Sequence, residues 1–588
     1  MPRIRRHLGL ALLLASSTAF SATPAWVARS DAYTQPVLQD TGKYVPENAT
    51  ELGDESFDTA VVDLKPRVYE RELADTEKRL KALRVQRARE QDPKVRQDLD
   101  ILIDSREKKI ASMKLEHQYL LEYTNVGEFV YGGLRALLDP RNKPQRQQLA
   151  LVRLKRYAGK EAGYTPIATL ARARGEERLA DRKLIGPYVG EVEEGLNNNA
   201  TYMDGIEDLF KKAGLTGWEA DFAALKSQVA DYDAWVKERI VPRARKEVRL
   251  PEALYVNRLA NVGVDIAPEQ MIERAGFDFQ EVRDEMQVVA NGIAADRKML
   301  TSDYRDVLRE LKKTSIPADQ LLPYYRERLK DIEGMIRAHG LVTLPERDAN
   351  IRVATAAEAA RSPAPFMSPP RLIGNTGEYG EFVIPLANPN AKSKDKMNDF
   401  DFTAMAWTLA AHEARPGHEL QFASMVEQGM SVARASFAFN STNVEGWGLY
   451  SEALILPYMP PEGQLVSLQA RLLRMARALL DPQINLGRMT PQQAKDFLMQ
   501  EVVLSEPFAQ SEVDRYSYRS PGQATAYYYG YVKLRSLKTL AEIALGKDFD
   551  LKAFNDFVIA QGILPPALLK QAVLEDFIPA QKARVAAK

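Results

Sequence analysis

From about residue 64 to the carboxyl end, apolar residues recur mostly at three- and four-residue spacing, the period that gathers them on one face of an α-helix. Leu73, Leu80, Leu83 and Val85 form one interrupted stripe. Val95, Leu99, Ile101, Leu102, Ile110, Met113 and Leu120-Leu121 form a second, over 93–123. Asp92-Pro93 between them is a helix-start signal, because proline at the first helical position gives up an N–H that has no partner there. The pair reads as an antiparallel helical hairpin with a solvated outer face. Helices continue through 144–345, with turns at Gly163-Tyr164-Thr165-Pro166, Leu215-Thr216-Gly217 and Leu250-Pro251 and new starts at Ala267-Pro268 and Ile316-Pro317. Further helices are predicted at 464–480, 491–503 and 525–545, and a last one runs from Pro565-Pro566 to about 585.

Two stretches depart from this period. Residues 23–60 are rich in Thr, Ser, Asp and Pro with little periodicity, and read as a linker or extended lead-in. At about 346 the pattern becomes alternating and β-branched: Asp348 to Thr355 and Glu381 to Pro385 predict short strands, with a turn signal at Gly374-Asn375-Thr376-Gly377. The expected fold is therefore mainly α, with a helical region over 61–345 and a second region over 346–588 that opens on a small antiparallel sheet. An exposed edge of such a sheet can hold a peptide backbone by strand addition; a hairpin that merely covers the core is the plainer alternative.

Composition narrows the function classes. Lys plus Arg and Asp plus Glu are 80 each, so no global field points to nucleic acid or an anionic membrane. Residues 1–22 read as a secretory signal: Arg3, Arg5 and Arg6 precede the apolar run Leu8 to Leu14, and Ala19-Phe20-Ser21 offers a small-x-small cleavage site. There is no cysteine, which excludes disulfides and thiol acylation. No later segment approaches the length of a membrane span. The expected location is the periplasm, without a stable membrane span after cleavage.

The candidate chemistry lies in Ala411-His412-Glu413-Ala414-Arg415-Pro416-Gly417-His418-Glu419-Leu420-Gln421. The chain has five histidines, and two of them stand six residues apart with a glutamate after the first. In His-Glu-x-x-His, histidines at i and i+4 share one metal from one helix face. Here Pro416 occupies the position of the second histidine. On a straight helix His412 and His418 would differ by about 240° in azimuth and about 9 Å in rise, which metal bonds of roughly 2.0–2.1 Å do not span. Pro416-Gly417 predicts a break that swings His418 back beside His412. Two incidental histidines at a helix end is the alternative. Downstream, Asn443-Val444-Glu445-Gly446-Trp447-Gly448-Leu449-Tyr450-Ser451-Glu452 places Glu445 and Glu452 two turns apart on one helix face. Glu445 suits a third ligand, and Glu452 or Tyr450 a residue that orients one.

His-Glu-x-x-Pro-Gly-His-x-x-Gln followed by Glu-Gly-Trp-x-x-Tyr-x-Glu resembles the bacterial family catalogued as domain of unknown function 885, which is grouped with the His-Glu zinc peptidases. Arg515-Tyr516, then Pro521-Gly522-Gln523-Ala524-Thr525-Ala526-Tyr527, Gly530 and Lys533-Leu534-Arg535 extend the match. The resemblance implies a helical zinc-metallopeptidase-like fold and one zinc on His412, His418 and Glu445. It implies Glu413 as the base for water and a tyrosine hydroxyl for the oxyanion. Tyr527 matches the motif, with Tyr528 and Tyr529 as neighbouring choices. Arg535 is a candidate for a substrate carboxylate, which would favour carboxypeptidase or dipeptidyl-carboxypeptidase action, or else a partner in a structural ion pair. Gln421, Arg515, Tyr516 and Gln523 are further second-sphere or substrate candidates. A hydrolase of another amide or ester, and a non-catalytic envelope scaffold, are the competing classes; intact Glu413 speaks against the last.

Overall fold

A computed structural model describes residues 24–362, 364–375, 377–385 and 397–587. The expected signal peptide, with His7, and Thr376 of the predicted turn lie outside the described residues. Among the described residues the protein is mainly helical, with one three-stranded sheet.

The stretch expected to be an extended lead-in is instead helical, over Ala25–Tyr44 and Pro46–Leu52. Its polar residues are contacts. Ser30 donates to Asp98 at 2.6 Å, and Arg434 closes on the same carboxylate at 2.7 Å, so this helix is clamped between the hairpin and the segment after the His418 helix. The hairpin itself is present as Val68–Arg89 and Pro93–Tyr119. Asp92 caps the second helix by accepting from the N–H groups of Lys94 and Val95. Ion pairs Arg87–Asp100, Lys109–Glu72 and Lys114–Glu77 show the antiparallel register.

The sheet is mixed, not antiparallel. β1 (Asn350–Val353), β2 (Phe366–Ser368) and β3 (Glu381–Ile384) stand in the order β1-β3-β2. β1 runs parallel to β3 with Ile351 opposite Phe382; β2 runs antiparallel to β3 with Met367 opposite Phe382. Between β1 and β3 the chain makes a crossover through the short helix Ala356–Arg361 and β2, which is what a parallel pair requires. β2 is left as an edge strand.

Besides the cluster of Trp407, Ala411, Leu420 and Trp447 beside the histidines, two further cores decide where the site sits. One collects residues of 121–240, including Tyr157, Phe210 and Trp235. The other joins Val248 to Leu329 with Phe382, Phe402 and the helices through Tyr529. The helices from residue 252 therefore pack with the half that carries the histidines. The long helices Pro268–Asp296 and Pro461–Asn485 lie against each other in this second core. Among the described residues no helix is long and apolar enough to cross a membrane.

Candidate metal centre

The helix that begins at Met405 does not reach His418. It widens into a π turn over Ala410–Ala414, and Arg415 then takes extended dihedrals (φ −128°, ψ 134°). A new helix starts at His418. Gly417 is required at the break, because a Cβ there would stand 1.8 Å from the carbonyl oxygen of His412. The break is pinned on both sides. Buried Arg415 donates to Glu419 at 2.8 Å and Glu333 at 2.6 Å, and Trp447 Nε1 donates to the Pro416 carbonyl at 2.9 Å. The imidazoles of His412 and His418 come to 4.7 Å between centroids, at 86° to each other.

Glu445 and Glu452 lie on the helix Ser441–Ile455, whose first turn is capped by the Asn440 side chain. Two turns apart, they meet the two nitrogens of His412. Glu452 Oε1 is 2.7 Å from Nδ1, and Glu445 Oε2 is 3.6 Å from Nε2. Glu452 is itself held by Thr408 and Arg474, each at 2.9 Å. His418 Nε2 is 3.4 Å from the same Glu445 oxygen. The ring can approach this helix because residue 448 is glycine: a Cβ there would lie 2.6 Å from His412 Cε1. Gly446 on the same helix faces Gly530, where the helix Thr525–Leu545 crosses in close contact.

The ligand atoms of His412, His418 and Glu445 lie within 4.8 Å of one another. The two nitrogen–oxygen separations match the roughly 3.4 Å expected between donors bound tetrahedrally at about 2.1 Å. Glu445 Oε2 is buried and makes no hydrogen bond, so the oxygen common to both separations is free for an ion. Burial opposes a proton on His412, yet Glu445 and Glu452 outweigh it and lift its pKa to about 9: the pocket favours positive charge at this point. The residues present fit a divalent cation of the zinc type.

Glu413 follows on the π turn, with Oε1 3.9 Å from His412 Nε2. Burial raises its carboxyl pKa, opposed by the two histidines. Of the three consecutive tyrosines, Tyr527 faces the site, its ring lying nearly parallel to that of His412 at 6.3 Å between centroids. Tyr528 donates to Asp278 at 2.7 Å and Tyr529 donates to Asp265, both away from the site. The Tyr527 hydroxyl accepts from Arg515 at 2.9 Å, and Arg515 also donates to Gln523. Tyr516 donates to Glu512 at 2.7 Å, behind this pair. Gln421 donates to Asn443 at 3.1 Å and braces the His418 helix against the Glu445 helix.

Two candidates fall elsewhere. Arg535 is exposed on the outer side of its helix, over the Tyr531 ring, and lines a separate groove. Tyr450 donates to Asn555 at 3.0 Å and borders that same groove. Neither lines the cavity that holds the histidines. Both helices present opposite faces to different neighbours, and spacing along the motif did not reveal which face either residue takes.

That cavity has a volume of about 710 Å³. Phe366 and Met367 of the β2 edge line it on one side, Tyr123, Glu191 and Asn198 of the N-terminal helical region on another, and Arg474, Arg477 and Arg515 beside Tyr527. Sequence reasoning missed Thr408, Arg474, Arg477, Glu512 and the N-terminal wall. For the arginines a signal existed: Arg471, Arg474 and Arg477 repeat every three residues in a helix otherwise rich in Leu, Ala and Met.

Residues 46–573 match the family described as "Bacterial protein of unknown function (DUF885)". The chain belongs to that family. Its fold is shared by two solved structures described as "putative lipoprotein". The one from Shewanella oneidensis, also described as of unknown function, has a TM-score of 0.73 at 19% identity. The one from Colwellia psychrerythraea has a TM-score of 0.75 at 18% identity. Each comparison covers 94% of this chain and 100% of the other. No curated protein matches the sequence significantly.

Proposed function

We propose that this family member is an exported zinc-dependent peptidase that acts on short peptides in the cavity beside His412. The carrying observation is the convergence of His412, His418 and Glu445, with Glu452 holding His412 by its other nitrogen and Glu413 next to the shared point. A cation on the three ligands would supply Lewis acidity toward a peptide carbonyl and lower the pKa of water. Glu413 accepts a proton from the attacking water and delivers it to the amide nitrogen. The water oxygen joins the carbonyl carbon, the C–N bond breaks, and a carboxylate and an amine leave. The Tyr527 hydroxyl donates to the carbonyl oxygen as negative charge develops, and burial keeps that phenol protonated. The β2 edge gives the substrate backbone a strand to pair with.

Export rests on the basic-apolar-small pattern of residues 1–22 and agrees with the description of both structural relatives. The test is elemental analysis of the purified protein, followed by digestion of a quenched-fluorescence peptide library with and without chelator. One zinc per chain and chelator-sensitive cleavage are expected. A zinc-loaded protein that cuts no peptide refutes the reading.

A further inference from the structure

Three guanidiniums surround the Tyr527 ring: Arg477 at 4.5 Å, Arg515 at 5.1 Å and Arg474 at 5.9 Å from its centroid. All three line the cavity. Two carboxylates answer them. Glu512 takes Nε and Nη2 of Arg477, both at 2.7 Å, and Glu452 takes Nη2 of Arg474. Arg515 is left with neutral hydrogen-bond partners, Gln523 and Tyr527, and a longer approach of 3.7 Å to Glu512. The cluster therefore holds one positive charge more than the carboxylates that pair with it. Arg519, nearby, is neutralised by Glu194. Donors are spare as well as charge. Among the described residues, Arg474 Nε is buried without a partner, and the Nη1 groups of Arg477 and Arg515 make no hydrogen bond, the latter standing 3.7 Å from Glu512. Arg474 and Arg477 are 8% and 6% exposed, and the Arg515 side chain, which carries the excess, is 21% exposed where it lines the cavity.

We infer that this arginine cluster binds the free α-carboxylate of the substrate, so that the protein removes residues from the carboxyl ends of short peptides. A carboxylate accepts charge-assisted hydrogen bonds from guanidinium donors, and the Nη1 groups of Arg477 and Arg515 are the ones left to give them. Its placement follows from the ring between the partners. Tyr527 stacks on His412 and lies under Arg477, which bounds the guanidinium at about 11 Å from the imidazole. An extended chain advances about 3.3–3.6 Å per residue, so one or two residues fit between the cleaved bond and the carboxylate. The role assigned from sequence to Arg535 thus passes to Arg477 and Arg515.

The inference rests on the peptidase reading, and its test separates the two. Binding of one tetrapeptide, as the free acid and as the carboxyl-terminal amide, is measured by calorimetry on the chelator-treated full-length mature protein, where nothing turns over. Cleavage of the same pair is measured on the zinc-loaded protein. The acid is expected to bind at least about tenfold more tightly, as for a hydrogen bond between charged partners. In Arg515→Gln and Arg477→Gln the preference collapses, and Arg477→Lys, which keeps the charge, restores part of it. Equal binding of acid and amide by the wild type overturns the inference, as does a variant that loses both peptides in equal measure. Preference without cleavage sustains the carboxylate site and sinks the peptidase reading; cleavage without preference does the reverse.

Discussion

Glu452 Oε1 stands 2.7 Å from Nδ1 of His412, on the far side of the ring from Glu445. With an ion bound, that contact would set the tautomer of the neutral ring, the hydrogen on Nδ1 and the lone pair of Nε2 toward Glu445 and His418. Glu452→Gln can accept the same hydrogen bond but removes the charge that strengthens the imidazole as a ligand. Metal affinity should fall about 10- to 100-fold, read by competition with a chromogenic chelator, while the far-UV spectrum stays that of the wild type.

Gly448→Ala tests whether close approach of the ring to the Glu445 helix matters. The added methyl would lie 2.6 Å from His412 Cε1, and the ring, 2% exposed, is held at Nδ1 by Glu452. Zinc should be lost or bound substoichiometrically by elemental analysis. Full occupancy in a folded Gly448→Ala protein would show that the ring position is not the one the ion uses.

Glu413→Gln should keep fold and zinc and lose peptide hydrolysis by about 100-fold or more, because the amide cannot take a proton at neutral pH. Arg535→Ala is the contrasting variant. Its side chain is exposed on another face, so cleavage rates should stay at the wild-type level.

Tyr527→Phe should lower kcat with a smaller effect on KM, since its donor counts most as the oxyanion forms. Tyr528→Phe should leave kcat unchanged, its hydroxyl being turned to Asp278. Steady-state kinetics on one peptide distinguishes the two.

Glu512 sets an acid limit to stability. Burial by itself would raise its carboxyl pKa, but Arg477 and Arg515 hold it at about 2, below the ordinary 4.5. A carboxyl depressed in the folded state stabilises it fully above about pH 5, and that contribution is lost as pH falls from 4.5 toward 2. The shift corresponds to stabilisation on the order of 3 kcal/mol. In Glu512→Gln, Tm at pH 7 should fall, and the decline of Tm below pH 5 should be shallower than in the wild type.

Much of the centre was legible before any coordinates. A histidine pair at the wrong spacing, with Pro416-Gly417 between, demanded a break, since no regular helix brings i and i+6 together. The seven-residue interval from Glu445 to Glu452 placed both carboxylates on one face, because helix geometry is local. The hairpin and the main helices were legible for the same reason: period and capping residues are short-range signals.

What tertiary structure alone decided was direction and pairing. Strand patterns at 348–355 and 381–385 marked two strands, but parallel or antiparallel depends on the route of the chain between them. Residues 25–44 pack as a helix where Asp98 and the Val432 N–H, far along the chain, give Ser30 and Asp31 partners; in isolation the same residues read as a linker. Tyr527 became distinct from Tyr528 and Tyr529, and Arg535 was separated from Arg515, only when the crossing at Gly446 and Gly530 fixed which face of the helix meets His412. A local pattern determines which residues share a face; packing between distant segments determines what that face meets.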